Sequence, residues 1–174
     1  MADVVDLMDS TRPTHILSVD PGLSGALCLY EISTKVIHIF DMPVTDGRVD
    51  PAKLAAIVDQ CNFQAGRRVH AAVELVSSMP RQAGAFNFGV SAGVVHGVLG
   101  ALGIPFTLVQ PAQWKGAMGL RKIIGETQAQ NKTRARDLAI KLWPTMAVEF
   151  KLIKNDGRAE AALIARYFAN KQGW

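Results

Sequence analysis

The sequence has few cysteines and no hydrophobic run long enough to cross a bilayer. Only two cysteines, Cys28 and Cys61, occur in 174 residues, and they give no disulfide framework. The apolar run at 90–102 is well short of the roughly 20 residues that a transmembrane helix needs. These absences exclude a disulfide-stapled secreted domain and predict that the protein has no membrane partner.

The chain also lacks the basic start of a secretory signal peptide, since it opens with Met1-Ala2-Asp3. Together with two unpaired thiols, this predicts a cytoplasmic protein with reduced cysteines. Residues 1–13 carry scattered acids without a sustained hydrophobic period, which predicts a disordered tail. Residues 14–174 are long enough for a single domain with a substantial core, and they contain no internal repeat.

None of the four histidines stands at the spacing of a metal site, but carboxylates stand at four turning points. Asp20 and Glu74 each end an apolar run of strand length, and Asp156 and Glu160 are four residues apart at the start of a helical pattern. Such acids are costly to desolvate unless a cation balances them, and oxygen ligands suit Mg²⁺ or Mn²⁺. The set predicts a metal site for phosphate chemistry, the alternative being structural turn and helix-start acids.

The charge is unevenly distributed along the chain. Residues 1–62 hold four Lys or Arg against nine Asp or Glu, whereas residues 111–154 hold nine Lys or Arg against three acids. The basic segment predicts a polyanion partner, and the alternative is a solvated helix face. The carboxylate set elsewhere in the chain favours nucleic acid.

Hydrophobic periodicity predicts an α/β fold, in which the first three strands form a meander and the later strands join through helical crossovers. The result is a mixed five-stranded sheet with helices on both faces. If the first and fourth strands are parallel neighbours, Asp20 and Glu74 lie at one end of the sheet, to which the last helix brings Asp156 and Glu160. The predicted strands are 15–20, 26–31, 36–40, 69–74 and 106–110, and the predicted helices are about 51–62, 87–102, 126–142 and 157–169.

Several short motifs occur in a fixed order, and with them the sequence resembles the RuvC-type Holliday junction resolvases of the ribonuclease H-like superfamily. The resemblance runs from about residue 15 to residue 169 and is greatest to the phage-encoded members. The motifs are Ser18-Val19-Asp20-Pro21-Gly22 with Gly25, Val73-Glu74, Gly89-x3-Gly93-x3-Gly97, Val109-Gln110-Pro111-x2-Trp114-Lys115, Asn131-Lys132-x-Arg134 and Asp156-Gly157-Arg158-Ala159-Glu160-Ala161.

The resemblance implies a homodimer that cuts two opposed strands of a four-way DNA junction with Mg²⁺ or Mn²⁺ and leaves 5′ phosphates, in a bacterial cell or a phage-infected host. It implies that Asp20, Glu74 and Glu160 are catalytic metal ligands, with Asp156 at the fourth acidic or histidine position. Lys115 and Lys132 match basic positions that contact the DNA backbone. Phosphate contacts are expected from Lys115, Arg121, Lys122, Lys132, Arg134 and Arg136.

The chain departs from the family pattern in its last motif. In bacterial members the last two catalytic residues are commonly three apart and end in Asp, whereas here they are four apart and end in Glu160. Asn155 is therefore an alternative to Asp156 as a ligand.

A second departure concerns the aromatic wedge that bacterial members carry three residues after the strand Glu, because Ser77 occupies that position here. An apolar wedge is predicted instead at Met79-Pro80, since apolar side chains can unstack base steps. Arg81 and Gln82 follow and are expected to hold the displaced strand. The alternative wedges are Phe86 and Phe88.

The glycine row at 89, 93 and 97 allows another surface to approach the helix closely. The resemblance favours a dimer interface there, and the alternative is packing on the chain's own sheet.

Trp114 and Trp143 lie beside proline-bounded helix ends and are interpreted as core anchors.

Three other functions remain open from the sequence. An actin-like or sugar-kinase ATPase half also opens with Asp-x-Gly and a meander, but it needs two such domains. A ribonuclease H-like nuclease acting on other branched DNA or on RNA would share the carboxylates. A non-catalytic nucleic-acid-binding module would share the fold.

Overall fold

The computed structural model describes residues 12–63, 66–75 and 85–174. Its central element is a mixed five-stranded sheet. The strands are β1 (His15–Asp20), β2 (Ala26–Glu31), β3 (Ile37–Asp41), β6 (Val69–Glu74) and β7 (Phe106–Val109). They lie in the order β3-β2-β1-β6-β7, in which β1, β2 and β3 are antiparallel and β1, β6 and β7 are parallel. The predicted meander and crossover strands are confirmed.

A small hairpin of β4 (Val44–Thr45) and β5 (Arg48–Val49) follows β3, in a segment for which the sequence predicts no strand. Asp46 and Gly47 join its strands, and both have positive φ angles, of 51° and 71°. Two central residues with positive φ form the type I′ turn that matches the twist of a hairpin.

The helices of the described residues lie on both faces of the sheet, as predicted. Asp50 caps the first helix by accepting the amide protons of Ala52 and Lys53, each at 3.1 Å, and Pro51 stands at its first position. The helices are α1 (Pro51–Asn62), α2 (Ala85–Ala101), α3 (Pro111–Ala117), α4 (Gln128–Leu142), α5 (Ala147–Phe150) and α6 (Asp156–Gln172), with 3₁₀ turns at Pro144–Met146 and Ile153–Asn155.

Alternating residues of the strands supply two apolar layers. On β1, Ile16 belongs to the layer under α4 and α6, whereas Leu17 and Val19 belong to the layer under α1 and α2. Ser18 is buried on the α6 side, where its hydroxyl donates to the carbonyl oxygen of Ala161 at 2.6 Å. This bond ties the middle of α6 to the strand that ends in Asp20.

Across the described ranges, no helix combines the length and the apolar character needed to cross a membrane. The predicted tail falls almost wholly on residues 1–11, which lie outside the described residues.

Candidate functional site

Asp20 and Glu74 lie side by side at one edge of the sheet. Because β1 and β6 are parallel and Val19 pairs with Val73, the next residue of each strand emerges at the same edge. Glu74 is buried, with 9% of its surface exposed, and Asp20 is partly buried. The sequence-based placement of these two acids is confirmed.

Both carboxyl groups hold protons more tightly than usual. Burial raises the pKa of Asp20 to about 6, and the negative charge of Glu160 adds to this rise. Burial also raises the pKa of Glu74 to about 7, with further contributions from Asp20 and Glu160. Three carboxylates thus act on one another at this edge, and a bound cation would relieve their repulsion.

Trp114 orients Glu74. Its indole N–H donates to Glu74 Oε1 at 2.8 Å, and its ring is fully buried beneath α3. This bond favours the ionised carboxylate and so opposes the rise in the pKa of Glu74. The core position of Trp114 is confirmed, but its role at the site was not predicted from the sequence. The available signal was its place in a motif directly after β7, the strand next to β6.

The next residue, Lys115, holds the third acid. Its ammonium group lies 3.2 Å from Glu160 Oε1 and 5.0 Å from the centre of the Trp114 ring. A single turn of α3 therefore contacts both Glu74 and Glu160.

Asp156 is engaged by two cations of α4. Its carboxylate forms ion pairs with Arg136 and, at 3.2 Å, with Lys132. Asn155, the alternative ligand, is 4% exposed and occupies the position before the first turn of α6. The metal-ligand role of either residue stays a prediction.

Two glycines allow α6 to reach this edge. A Cβ at Gly25 would lie 2.1 Å from the carbonyl oxygen of Asp20, and one at Gly157 would lie 2.3 Å from that of Ser24. Neither distance is possible for a real side chain, so the β1–β2 turn and the start of α6 meet backbone to backbone. This close contact brings the first turn of α6, with Asp156 and Glu160, to the end of β1.

Within residues 12–63, 66–75 and 85–174, no three His, Cys, Asp or Glu side chains are grouped closely enough to hold one metal ion. The donor chemistry nevertheless fits a hard divalent cation, because Asp20, Glu74 and Glu160 supply carboxylate oxygens, and the charge of Glu160 helps to raise the pKa of both Asp20 and Glu74. Lys115 at present neutralises one of these acids.

The predicted DNA-contacting cations differ in what they touch. Lys122 is exposed, whereas Lys115 and Lys132 are paired with site acids. Arg134 donates to Glu126 at 2.8 Å and to the carbonyl oxygen of Gly119 at 2.6 Å, so it also holds the preceding loop. For these four cations, as for the exposed Arg121 and for Arg136, which is buried and paired with Asp156, a phosphate contact stays a prediction.

The predicted wedge residue Met79 and its neighbours Arg81 and Gln82 lie outside the described residues. Of the alternatives, Phe86 is 80% exposed at the start of α2. Phe88 lies against the turn that follows Asp20, since a Cβ at Gly22 would be 3.4 Å from its ring.

The fold has close counterparts among solved structures. A structure of Thermus thermophilus RuvC matches with a TM-score of 0.55 and 16% identity, covering 91% of this chain and 96% of that one. A structure of T. thermophilus RuvC in complex with a Holliday junction substrate matches with a TM-score of 0.54 and 15% identity, covering 90% and 96%. The chain has the RuvC fold.

The resemblance inferred from the motifs is thus confirmed at the level of the fold, which is α/β and ribonuclease H-like. No protein-family model and no curated protein sequence matches the chain. The greater similarity to phage-encoded members stays a prediction.

Proposed function

We propose that the protein is a metal-dependent, structure-selective endonuclease that cuts paired strands of four-way DNA junctions and leaves 5′ phosphates. The observation that carries the proposal is the pair of neighbouring acids, Asp20 and Glu74, at the edge of a RuvC-like sheet. Both have raised pKa values and lie within the electrostatic reach of Glu160. Structural turn acids have no need of such an arrangement.

In this proposal Asp20, Glu74 and Glu160 hold Mg²⁺, for which Mn²⁺ would substitute, and Asp156 is the fourth candidate ligand. The bound metal would supply an activated water and neutralise charge on the leaving oxygen. Trp114 fixes one oxygen of Glu74 and thereby orients the other. Lys115 forms an ion pair with Glu160. A bound metal would replace Lys115 as the partner of Glu160, or a phosphate would replace Glu160 as the partner of Lys115.

Recognition of the substrate would depend on its shape. Lys115, Lys122, Lys132 and Arg134 would contact phosphates, and such contacts carry no base sequence. Selection of a four-way junction and the cutting of paired strands both call for two sites related by a two-fold axis. We therefore propose a homodimer, with the exposed glycines of α2 at its interface.

A non-catalytic branched-DNA-binding module is the second candidate. It is favoured by the ion pairs that occupy Glu160 and Asp156, and by the lack of a grouped three-ligand site in the described residues. A nuclease for other branched DNA or for RNA is a variant of the first proposal.

The deciding experiment incubates the purified protein with end-labelled four-way junction, fork, linear duplex and RNA–DNA hybrid, with Mg²⁺, Mn²⁺ or EDTA, and maps the nicks. We expect paired nicks in the junction only with metal. Asp20→Asn and Glu74→Gln should abolish nicking and leave junction binding unchanged or tighter, because carboxylates repel phosphates. Asp59→Asn, at an exposed position on α1, is the matched control.

Three outcomes discriminate the candidates. Junction binding without metal-dependent cleavage of any substrate would support the binding module. Preferential cleavage of forks or hybrids would support the variant. Cleavage within about tenfold of the wild type by either acid variant, a barrier change of only about 1.4 kcal/mol, would remove that acid from the mechanism.

A further inference from the structure

The loop between α3 and α4, residues 118–127, exposes two adjacent isoleucines. Ile123 is 56% exposed and Ile124 is fully exposed. Single exposed apolar residues are common, but two β-branched residues at the tip of one loop form a contact surface that the proposed mechanism does not use. We call this loop the isoleucine loop.

The isoleucine loop is fastened to the start of α4. Asn131 donates to the carbonyl oxygen of Leu120 at 3.0 Å, and Leu120 itself is buried. Glu126 accepts from Arg134 at 2.8 Å and from the backbone N–H of Ile123 at 3.0 Å. The backbone of the loop is therefore fastened on both sides of the isoleucines before any partner arrives, which lowers the entropic cost of a contact.

The loop lies near Asp156, the fourth candidate ligand. A surface groove of about 620 Å³ is lined by both isoleucines together with Ala129 and Thr133 of α4. A second groove, of about 310 Å³, is lined by the same two α4 residues and reaches Asp156. Only a short stretch of α4, which lines both grooves, thus separates the apolar tip from Asp156.

The charge around the tip matches a nucleic acid. Arg121 and Lys122 precede the isoleucines and are exposed. The one acid of the loop, Glu126, is neutralised by Arg134. An apolar tip within a cationic frame would meet phosphates with its cations and base faces with its isoleucines, whereas a protein partner of acidic character would leave the isoleucines without an apolar counterpart.

We propose that Ile123 and Ile124 form an apolar wedge that packs against unstacked bases at the branch point of the DNA. Apolar side chains, isoleucine among them, are known to enter base steps and to hold the bases apart. This inference rests on the proposed function, because it takes branched DNA as the ligand. It adds a second wedge to the one predicted at Met79 and assigns it to a loop that is hydrogen-bonded to α4.

The test measures binding to a four-way junction that carries a fluorescent base analogue next to the crossover, in EDTA so that no cleavage occurs. Wild-type protein should increase the fluorescence, which reports unstacking. Ile124→Gln should remove at least half of that increase and weaken junction affinity by about tenfold, within the range of one base contact, while affinity for linear duplex is unchanged. Val148→Gln, at an exposed apolar position on α5, should behave as the wild type.

The outcomes separate this inference from the proposed function. Failure of the wild type to bind any branched DNA would overturn both. The wedge alone would be overturned by a different result, in which the wild type binds and cleaves normally. In that result Ile124→Gln, and the double variant with Ile123→Gln, would show the same fluorescence signal and junction affinity as the wild type. If these variants sediment differently from the wild type without DNA, but give the same fluorescence signal with the junction, the tip instead makes contacts between copies of the chain, and the wedge is overturned.

Discussion

Gly157 and Ser24 are in backbone contact, so that a Cβ at position 157 would stand 2.3 Å from the Ser24 carbonyl oxygen. The contact presses the first turn of α6 against the turn that follows Asp20. Because Glu160 lies less than one helical turn further along α6, its distance from the sheet edge depends on this contact. A glycine outside the carboxylate set therefore determines how the acids meet.

Gly157→Ala should separate α6 from the β1–β2 turn. We expect a loss of about 1–3 kcal/mol in the free energy of unfolding, as for other overpacked sites. Cleavage should fall by about a hundredfold, because small displacements of catalytic groups have effects of that size. Urea unfolding and junction cleavage are the measurements.

Gly100→Ala is the control, because no atom of the described residues, apart from the neighbouring backbone of α2, lies within 4 Å of a Cβ at Gly100. It should stabilise the protein by roughly 0.5–1 kcal/mol through helix propensity. Wild-type stability and activity in Gly157→Ala would show that the contact has no part in building the site.

Trp114→Phe should keep most of the buried ring but remove the N–H that Glu74 accepts. We expect a cost of about 1–3 kcal/mol for the unpaired carboxylate. The pKa of Glu74 should rise further, which moves the acid limb of the pH–rate profile for cleavage to higher pH. Trp143→Phe is the matched control, because it removes a tryptophan N–H bond to the Lys35 carbonyl oxygen away from the acids.

The control should lose stability without any shift of the pH–rate profile. If both tryptophan variants leave the profile in place, the indole bond does not tune Glu74.

The metal-free protein should lose stability as the pH rises through the range in which the site acids ionise. The pKa of Glu74 is raised from 4.5 to about 7 and that of Asp20 from 3.8 to about 6, so the native state binds more protons than the unfolded state between these values. The free energy of unfolding therefore falls with rising pH, by on the order of 1–3 kcal/mol for each acid. Glu74→Gln and Asp20→Asn should each remove part of this slope.

The measurement is the difference in unfolding free energy between the wild type and each variant from pH 4 to pH 8, which cancels the other titrating groups. Added Mg²⁺ should stabilise the wild type near pH 8 more than either variant, because the metal binds ionised carboxylates. A wild-type-minus-variant difference that stays constant across the range would contradict the raised pKa values.

The sequence was sufficient for the sheet and for the edge at which Asp20 and Glu74 meet. Buried strands are continuous apolar runs, and two parallel neighbours must end on the same side. Both inferences need only local pattern and topology, and the register of Val19 with Val73 bears them out.

The contacts of α3 could not be predicted in the same way. This helix has only seven residues, and the side chain of Gln110 does not cap it, so the sequence carries no clear signal that a helix starts here. Its first residue, Pro111, indicates only that β7 has ended. The Trp114–Glu74 bond and the Lys115–Glu160 pair depend on how the helix packs, which no local pattern records. The number of basic residues in a segment likewise does not show which of them are available to a ligand. Arg134 donates to the backbone of the preceding loop, whereas Lys122 is exposed.

Lys122→Ala and Lys132→Ala should weaken binding to all junction sequences alike. Each should flatten the slope of log K against log salt by about one unit, since one phosphate contact is lost. Lys132→Ala should also leave Asp156 with Arg136 as its ion-pair partner, so its cleavage rate should change more than that of Lys122→Ala. Lys171→Ala, in the last turn of α6, is the control.

The measurement is a set of junction-binding titrations with each variant at several salt concentrations. An affinity loss restricted to one base sequence, with an unchanged salt slope, would argue against phosphate contacts.

The glycine row of α2 provides the test of the dimer. Apart from the neighbouring backbone of α2 itself, no atom of the described residues lies within 4 Å of a Cβ at Gly89, Gly93 or Gly97, so the alternative that these glycines serve packing on the chain's own sheet is wrong. A larger residue there should not disturb the protomer, but it would block a surface that approaches the helix closely. Gly93→Leu should therefore give a folded monomer that no longer makes paired cuts, whereas Gly93→Ala should keep the dimer. The measurements are sedimentation velocity with and without junction DNA, and nick mapping on both strands. A wild-type protein that is monomeric both with and without DNA would refute the dimer.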